Sequence, residues 1–444
     1  MGAQPSWLAR TFASLSVRNY RWYFLGQLIG QPGKWMQTTA QSWLMLELTG
    51  SGTAVGVTVA AQFLPVLLFG PYGGVLVDRW DKRRLMIVTQ VLTALFATIL
   101  GVLVVTGTVE VWMVYLLAAG TGGMNVVDSP ARQSFAIEMV GPAQVTNAVT
   151  LNTTVINIAK IAGPALAGVA IALVGTGVCF LVNGAASLAV VAALAAIRPA
   201  ELLRPPPAGR GPGQVAEGLR HVAATPALRT TLIMLAIVGC LATQFPVVLP
   251  LLAQETFGAG ADAYATLYSL LGIGAVLGGL ATASRSGSGT SRLTVLAALL
   301  AVAFALVAAA PTLWSAGALL VVVGLLSAQF NITANGTLQI AADPRMRGRV
   351  MSLWSMALLG TTPLGGPVVG AVSEHLSPRW GMAIGALGAA AAGLVGAVEL
   401  RRARDTPAPA SAPPSLSAPA SSAPAPSVPA SSSPARSDIA EETT

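Results

Sequence analysis

Five polar side chains, Gln27, Gln31, Lys34, Thr38 and Gln41, recur at intervals of four, three, four and three residues inside an otherwise apolar run. That spacing lays them along one face of a helix. Ser327, Asn331, Asn335 and Gln339 fall every four residues in a second such run, and Thr153, Asn157 and Lys160 mark a third that ends at Pro164. Gln244 stands in a fourth. In apolar surroundings, amides and hydroxyls at helical spacing either join helices by hydrogen bonds or line a water-filled path. Several full-length stripes favour the path. Its candidate solute-binding residues are Gln31, Lys34, Thr38, Gln41, Asn157, Lys160, Gln244, Asn331 and Asn335.

Charge sharpens the reading. Lys34 and Lys160 each lie about twelve residues into a long apolar helix, roughly mid-bilayer at about 1.5 Å of rise per residue. An ammonium there costs on the order of 3 kcal/mol unless water, a counter-charge or a ligand meets it. No carboxylate is expected at that depth, which predicts a cavity of positive potential suited to an anionic or multiply oxygenated solute. Asp128 and Arg132 stand four apart, the spacing of a helical ion pair. They fit either a structural bridge or a titrating site. Glu47 is the other carboxylate that could face a central route, so Asp128, Glu47 and Arg132 are the candidate coupling residues. The two His and two Cys are scattered, which leaves no metal cluster, no cofactor site and no converging catalytic group. No Gly-x-x-x-x-Gly-Lys-Ser/Thr stretch is present, so ATP is not expected to be used.

The elements that position these residues are membrane-spanning. Of 444 residues 54% are hydrophobic and 9% charged, and the mean hydropathy is +0.69. A soluble domain does not cover its surface with so few charges. Twelve apolar segments are expected, at about 22–48, 53–77, 85–106, 111–129, 148–174, 178–197, 230–252, 263–283, 293–310, 313–340, 350–374 and 380–400. The expected divisions are a first six-helix bundle over 1–197, a loop over 198–229, a second bundle over 230–400, and a disordered tail over 401–444 rich in Pro, Ala and Ser. The first residues lack a signal-peptide cleavage pattern. With the N-terminus in the cytoplasm, 22 of the 25 Lys and Arg fall on the inner side. The positive-inside rule therefore predicts that both termini are cytoplasmic. The net charge of +8 sits in short loops, which argues for membrane orientation and against nucleic acid.

One loop carries more than orientation. Gly74-x-Leu76-x-Asp78-Arg79-x-x-Lys82-Arg83 joins the second and third segments. It resembles the signature loop of the major facilitator superfamily, with Asp81 where that family usually has glycine. Further stretches are similar to the drug and siderophore exporter branch of that family, of transmembrane secretion effector type, which includes the enterobactin exporter. They are Gly33-Lys34-Trp35-Met36-Gln37, Glu47-Leu48-Thr49-Gly50-Ser51, Asp128-Ser129-Pro130-Ala131-Arg132-Gln133, Lys160-Ile161-Ala162-Gly163-Pro164 and Arg347-Gly348-Arg349-Val350-Met351-Ser352. The Gly163-Pro164 stretch resembles a shortened antiporter motif, and Gly365-Gly366-Pro367 repeats it in the second half. The fourth segment lacks the arginine that other drug:proton antiporter branches carry.

The resemblance implies an all-α membrane protein of two pseudo-symmetric six-helix bundles in the plasma membrane. It implies a monomeric secondary transporter that exports a small organic compound by alternating access, with protons as coupling ion. The alternatives are an uptake symporter, an uncoupled facilitator, and a membrane-embedded lipid-handling protein or enzyme. Gly74, Asp78, Arg79 and Arg83 are expected to latch against Arg347 and Arg349 at the start of the eleventh segment, where a helix N-terminus favours the aspartate.

Overall fold

A computed structural model describes residues 12–141, 144–203, 214–283, 289–343 and 346–405. Every regular element among them is helical. The chain divides into two units, residues 1–403 and 404–444, and the packing below belongs to the first. The 401–444 tail, apart from residues 401–405, lies outside the described residues.

The first six long helices are α1 (Arg18–Thr49), α2 (Gly52–Arg79), α3 (Lys82–Val105), α4 (Val111–Val140), α5 (Val145–Val174) and α6 (Thr176–Ala195). A short amphipathic helix, α7 (Gln214–Ala224), follows. Then come α8 (Pro226–Leu241), α9 (Phe245–Leu251, continued by a π turn at Leu252–Thr256), α10 (Ala261–Ala283), α11 (Thr290–Ala309), α12 (Leu313–Ala341), α13 (Arg347–Leu359), α14 (Thr362–His375) and α15 (Pro378–Asp405). Among the described residues ten stretches are long and apolar enough to cross a membrane. Helices α1 and α4, of 32 and 30 residues, are long enough but fall outside that set. The polar residues they carry are the reason, and those residues are where the site lies.

Prolines shape the packing in two ways. Where the sequence suggests single segments at 230–252 and 350–374, the helices break. Pro246 opens α9 and Pro363 opens α14, each in the first turn, where a missing N–H costs nothing. Elsewhere the helix runs through its proline, as at Pro32 in α1, Pro130 in α4 and Pro164 in α5. A mid-helix proline frees the carbonyl four residues earlier, and glycines of neighbouring helices pack there. Gly73 of α2 sits so close to the Val126 carbonyl that a Cβ would overlap it. A Cβ on Gly272 of α10 would stand 3.1 Å from the Lys160 carbonyl oxygen. The sequence reading ended the fourth segment at Ser129, whereas α4 passes Pro130 and carries Arg132 and Glu138 within it.

Contacts between α1–α6 and the later helices gather towards one end, here called the closed end. Gly52 and Gly56 of α2 meet Gly370 and Gly366 of α14 with their backbones in contact. Ser51 Oγ and Thr53 N–H, at the start of α2, donate to Glu374 Oε2 at 2.7 and 2.9 Å. Gly168 of α5 lies against Ala265 of α10, and Trp43 of α1 stacks on Tyr264 with ring centroids 6.1 Å apart. Towards the opposite end, Thr153 and Thr154 of α5 and Gln339 and Ile340 of α12 are exposed.

Candidate functional site

A polar cavity of about 60 Å³ lies inside α1–α6, lined from α1, α2, α3, α4 and α6. Gln27, Gln31, Lys34, Gln37 and Thr38 of α1 form one wall, and Thr121, Asn125, Asp128 and Arg132 of α4 form another. Gln62, Gln90, Thr93, Asn183 and Ser187 complete it.

Hydrogen bonds fix most of these groups. Asp128 Oδ2 pairs with Arg132 Nη2 at 2.9 Å, one helical turn on. Its Oδ1 accepts from Thr89 Oγ1 at 3.2 Å and Gln90 Nε2 at 3.1 Å, both on α3. Both carboxylate oxygens are thus engaged, which is what keeps a buried charge tolerable. Lys34 Nζ donates to Asn125 Oδ1 at 2.7 Å, and Asn125 Nδ2 donates to the Thr121 carbonyl at 3.1 Å. Gln31 Nε2 donates to Gln27 Oε1 at 2.8 Å, and Asn183 Nδ2 reaches Gln37 Oε1 at 2.5 Å.

The structure brings together Gln31, Lys34, Thr38, Asp128 and Arg132 among the residues expected from sequence. It places Asp128 in the same cavity as Lys34, although no carboxylate was expected at that lysine's depth. The reason is that α4 continues through Pro130, so Asp128 lies within the helix and not at its end. Lys160 is elsewhere. Its Nζ stands over the Trp35 ring, 5.6 Å from the centroid, where α1, α5 and α10 meet. Neighbouring helix positions diverge by about 100°, so Lys34 and Trp35 face different spaces.

The other expected residues occupy separate environments. Gln41 is buried, and Asn157 is half-buried on α5. Gln244 is buried where α8 gives way to α9 and donates to the Cys240 carbonyl at 2.9 Å. On α12, Asn331 is half-buried and Asn335 accepts from Gln339. Glu47 accepts from Trp43 Nε1 at 2.6 Å near the closed end. Arg83 donates to the Leu194 and Ala195 carbonyls at 2.7 and 2.9 Å, at the C-terminus of α6. Arg349 pairs with Glu217 of α7 at 2.6 Å. Arg79 is exposed, while the side chains of Asp78 and Arg347, and Gly74, lie outside the described residues.

Sequence reasoning missed Gln37, Gln62, Gln90, Thr93, Thr121, Asn125, Asn183 and Ser187. Part of that signal was present: Thr121, Asn125, Asp128 and Arg132 repeat the four, three, four spacing of the first stripe.

A shell of long apolar helices around a buried charged cavity is the architecture of a polytopic membrane transporter of major facilitator type. The fold matches a bacterial homologue of the human lysosomal transporter Spinster, solved in an inward-facing, unoccupied conformation, with a TM-score of 0.69 at 14% identity over 88% of this chain and 99% of that one. The chain belongs to the family described as transmembrane secretion effector, whose profile matches residues 9–421. It is similar to the multidrug efflux pump Tap of Mycolicibacterium fortuitum, 28% identical over 360 residues, covering 77% of this chain and 87% of that protein. It is also similar to the staphyloferrin A transporter of Staphylococcus aureus, 26% identical over 162 residues, covering 36% of this chain and 41% of that protein. The family and these relatives are transporters, not enzymes.

Proposed function

We propose that the protein exports a small anionic or multiply oxygenated organic compound, a drug, siderophore or acidic secondary metabolite, by proton-coupled alternating access. The observation that carries this is the cavity whose Lys34, Asp128 and Arg132 sum to one positive charge deep within apolar helices. The names of the relatives support the reading, the multidrug efflux pump for export and the staphyloferrin A transporter for the substrate class.

In this reading the chain crosses the plasma membrane twelve times as a monomer, with α1 and α4 joining the ten more apolar spans and both termini in the cytoplasm. Residues 1–197 and 230–400 form two bundles joined by 198–229, and 401–444 is a cytoplasmic tail. The closed end faces outward, so the conformation is open to the cytoplasm. Solute enters between the bundles and meets Lys160, Asn157, Asn331 and Asn335, then the cavity residues Gln31, Lys34 and Thr38, with Gln41 and Gln244 towards the closed end. Asp128, paired to Arg132, changes protonation during the cycle, with Glu47 as the outer carboxylate. Gly74, Asp78, Arg79 and Arg83 latch against Arg347 and Arg349 once the inner side shuts.

The test is efflux from loaded proteoliposomes with and without an imposed pH gradient. Movement of an organic anion that accelerates with the gradient supports the reading. Gradient-independent movement removes proton coupling, and accumulation only in the opposite direction replaces export with uptake.

A further inference from the structure

Among the described residues, the cavity holds one charge without an ionic partner, that of Lys34. Arg132 is met by Asp128 Oδ2, and Asp128 Oδ1 is committed to Thr89 and Gln90 on α3. Lys34 is left with a neutral acceptor, Asn125 Oδ1, and that amide's own N–H group is spent on the Thr121 carbonyl. An ammonium has three donors, and the hydrogen bond described for Lys34 uses one. No side chain lining the cavity from α2, α3 or α6 is charged. A lone cation in this setting needs a counter-charge.

The space available selects the kind of counter-charge. At about 60 Å³ the cavity has room for roughly four water molecules. Organic ligands of drug size occupy several hundred Å³. An ion of halide size with one or two waters fits, whereas of an exported compound only a small anionic group would. The walls supply donors as well as charge: the Lys34 ammonium, the N–H groups of the Arg132 guanidinium not spent on Asp128, and the Ser187 hydroxyl, which rotates to suit.

We propose that the Lys34 side of this cavity is a binding site for a compact inorganic monovalent anion, chloride being the physiological candidate, which neutralises Lys34 inside the first six helices. The inference deepens the reading above at Lys34 and rests on it only in taking the cavity as part of the transporter's working interior. The site is distinct from the Lys160–Trp35 junction, which belongs to the space between the two sets of helices.

The experiment measures the thermal unfolding midpoint of the purified full-length protein, titrating sodium chloride against sodium gluconate at constant ionic strength. Wild type is expected to show a rise of about 1–2 °C once chloride exceeds its dissociation constant tenfold, growing logarithmically beyond that. Lys34→Arg should keep the response, and Lys34→Gln should lose it. Asn125→Asp places a carboxylate where the Lys34 acceptor now stands. It should abolish the response and match, in gluconate, the midpoint of wild type in chloride. Should Lys34→Gln not fold, Asn125→Asp decides alone. A wild type indifferent to chloride, or an equal response in the Asn125→Asp protein, overturns the proposal. The measurement needs no gradient and no organic substrate, so a failure of the export reading appears separately, as absent transport alongside an intact chloride response.

Discussion

Gly56→Ala tests how the closed end is held. A Cβ at this position would overlap the Gly366 carbonyl oxygen and stand 2.7 Å from its carbon and 2.9 Å from Pro367 Cα. Ordinary carbon–carbon contact is about 3.5–4.0 Å, so α2 and α14 must part by roughly 1 Å. All three atoms belong to backbone or a proline ring, which cannot swing aside as a side chain tip does. Overpacking of this kind costs about 1–3 kcal/mol. Because the contact joins the two sets of helices, the cost falls on the conformation in which this end is shut. An equilibrium between closed-end and open-end conformations then shifts by roughly 5- to 150-fold. Gly70→Ala is the control, since it lies on the same helix with nothing within 4 Å of its would-be Cβ. Spin labels at Leu48 and Leu376, both exposed near the closed end, report the separation in a Cys179→Ala, Cys240→Ala background. A longer-distance population in Gly56→Ala and none in Gly70→Ala is expected. Identical distance distributions in wild type and Gly56→Ala would refute the reasoning.

Three further outcomes follow from the same geometry. Glu374→Gln removes the charge from the acceptor of Ser51 Oγ and Thr53 N–H at the start of α2; hydrogen bonds to charged groups contribute about 1.5–3 kcal/mol, so the same spin labels should show partial opening. Asp128→Asn leaves Arg132 buried without its partner, at a cost on the order of 3–5 kcal/mol. It should uncouple efflux from an imposed pH gradient while substrate binding persists, whereas full recovery of gradient-driven efflux in the swapped pair, Asp128→Arg with Arg132→Asp, would show the pair to be structural only. Arg349 and Glu217 form a pair in which the glutamate side chain is 60% exposed, so a double-mutant cycle on unfolding should give a coupling of about 0.2–1 kcal/mol, and a larger value would contradict the surface character assigned to it.

The sequence made the helical architecture legible because apolar runs of bilayer length leave little alternative, and punctuation by charge or Pro sets their limits. One boundary failed, the end of the fourth segment at Ser129, because α4 continues through Pro130. Pro130 and Pro164 lie within helices, each with a neighbouring glycine close to the carbonyl it frees, whereas Pro246 and Pro363 begin new helices. Nothing local distinguishes the two cases; the partner helix decides. The cavity was legible in its α1 wall, where Gln27, Gln31, Lys34 and Thr38, four of the five residues of the polar stripe, line it. Its other walls were not legible, because Gln62, Gln90 and Asn183 are single amides in apolar helices and acquire meaning only when the helices face one another. Lys34 and Lys160 looked equivalent by depth, and their roles separate only through which side of α1 each one meets. The signature loop defined the family, yet Arg83 and Arg349 are engaged with the α6 C-terminus and with Glu217, partners far away in sequence.

The central claim is that buried positive charge selects the substrate. It is tested most directly by comparing the affinities of matched anionic and cationic compounds of equal size for the reconstituted protein, in wild type, Lys34→Gln and Lys160→Gln. Wild type should prefer the anion, and each substitution should reduce this preference, Lys160→Gln most. Equal affinity for anion and cation in wild type, unchanged by either substitution, would contradict it.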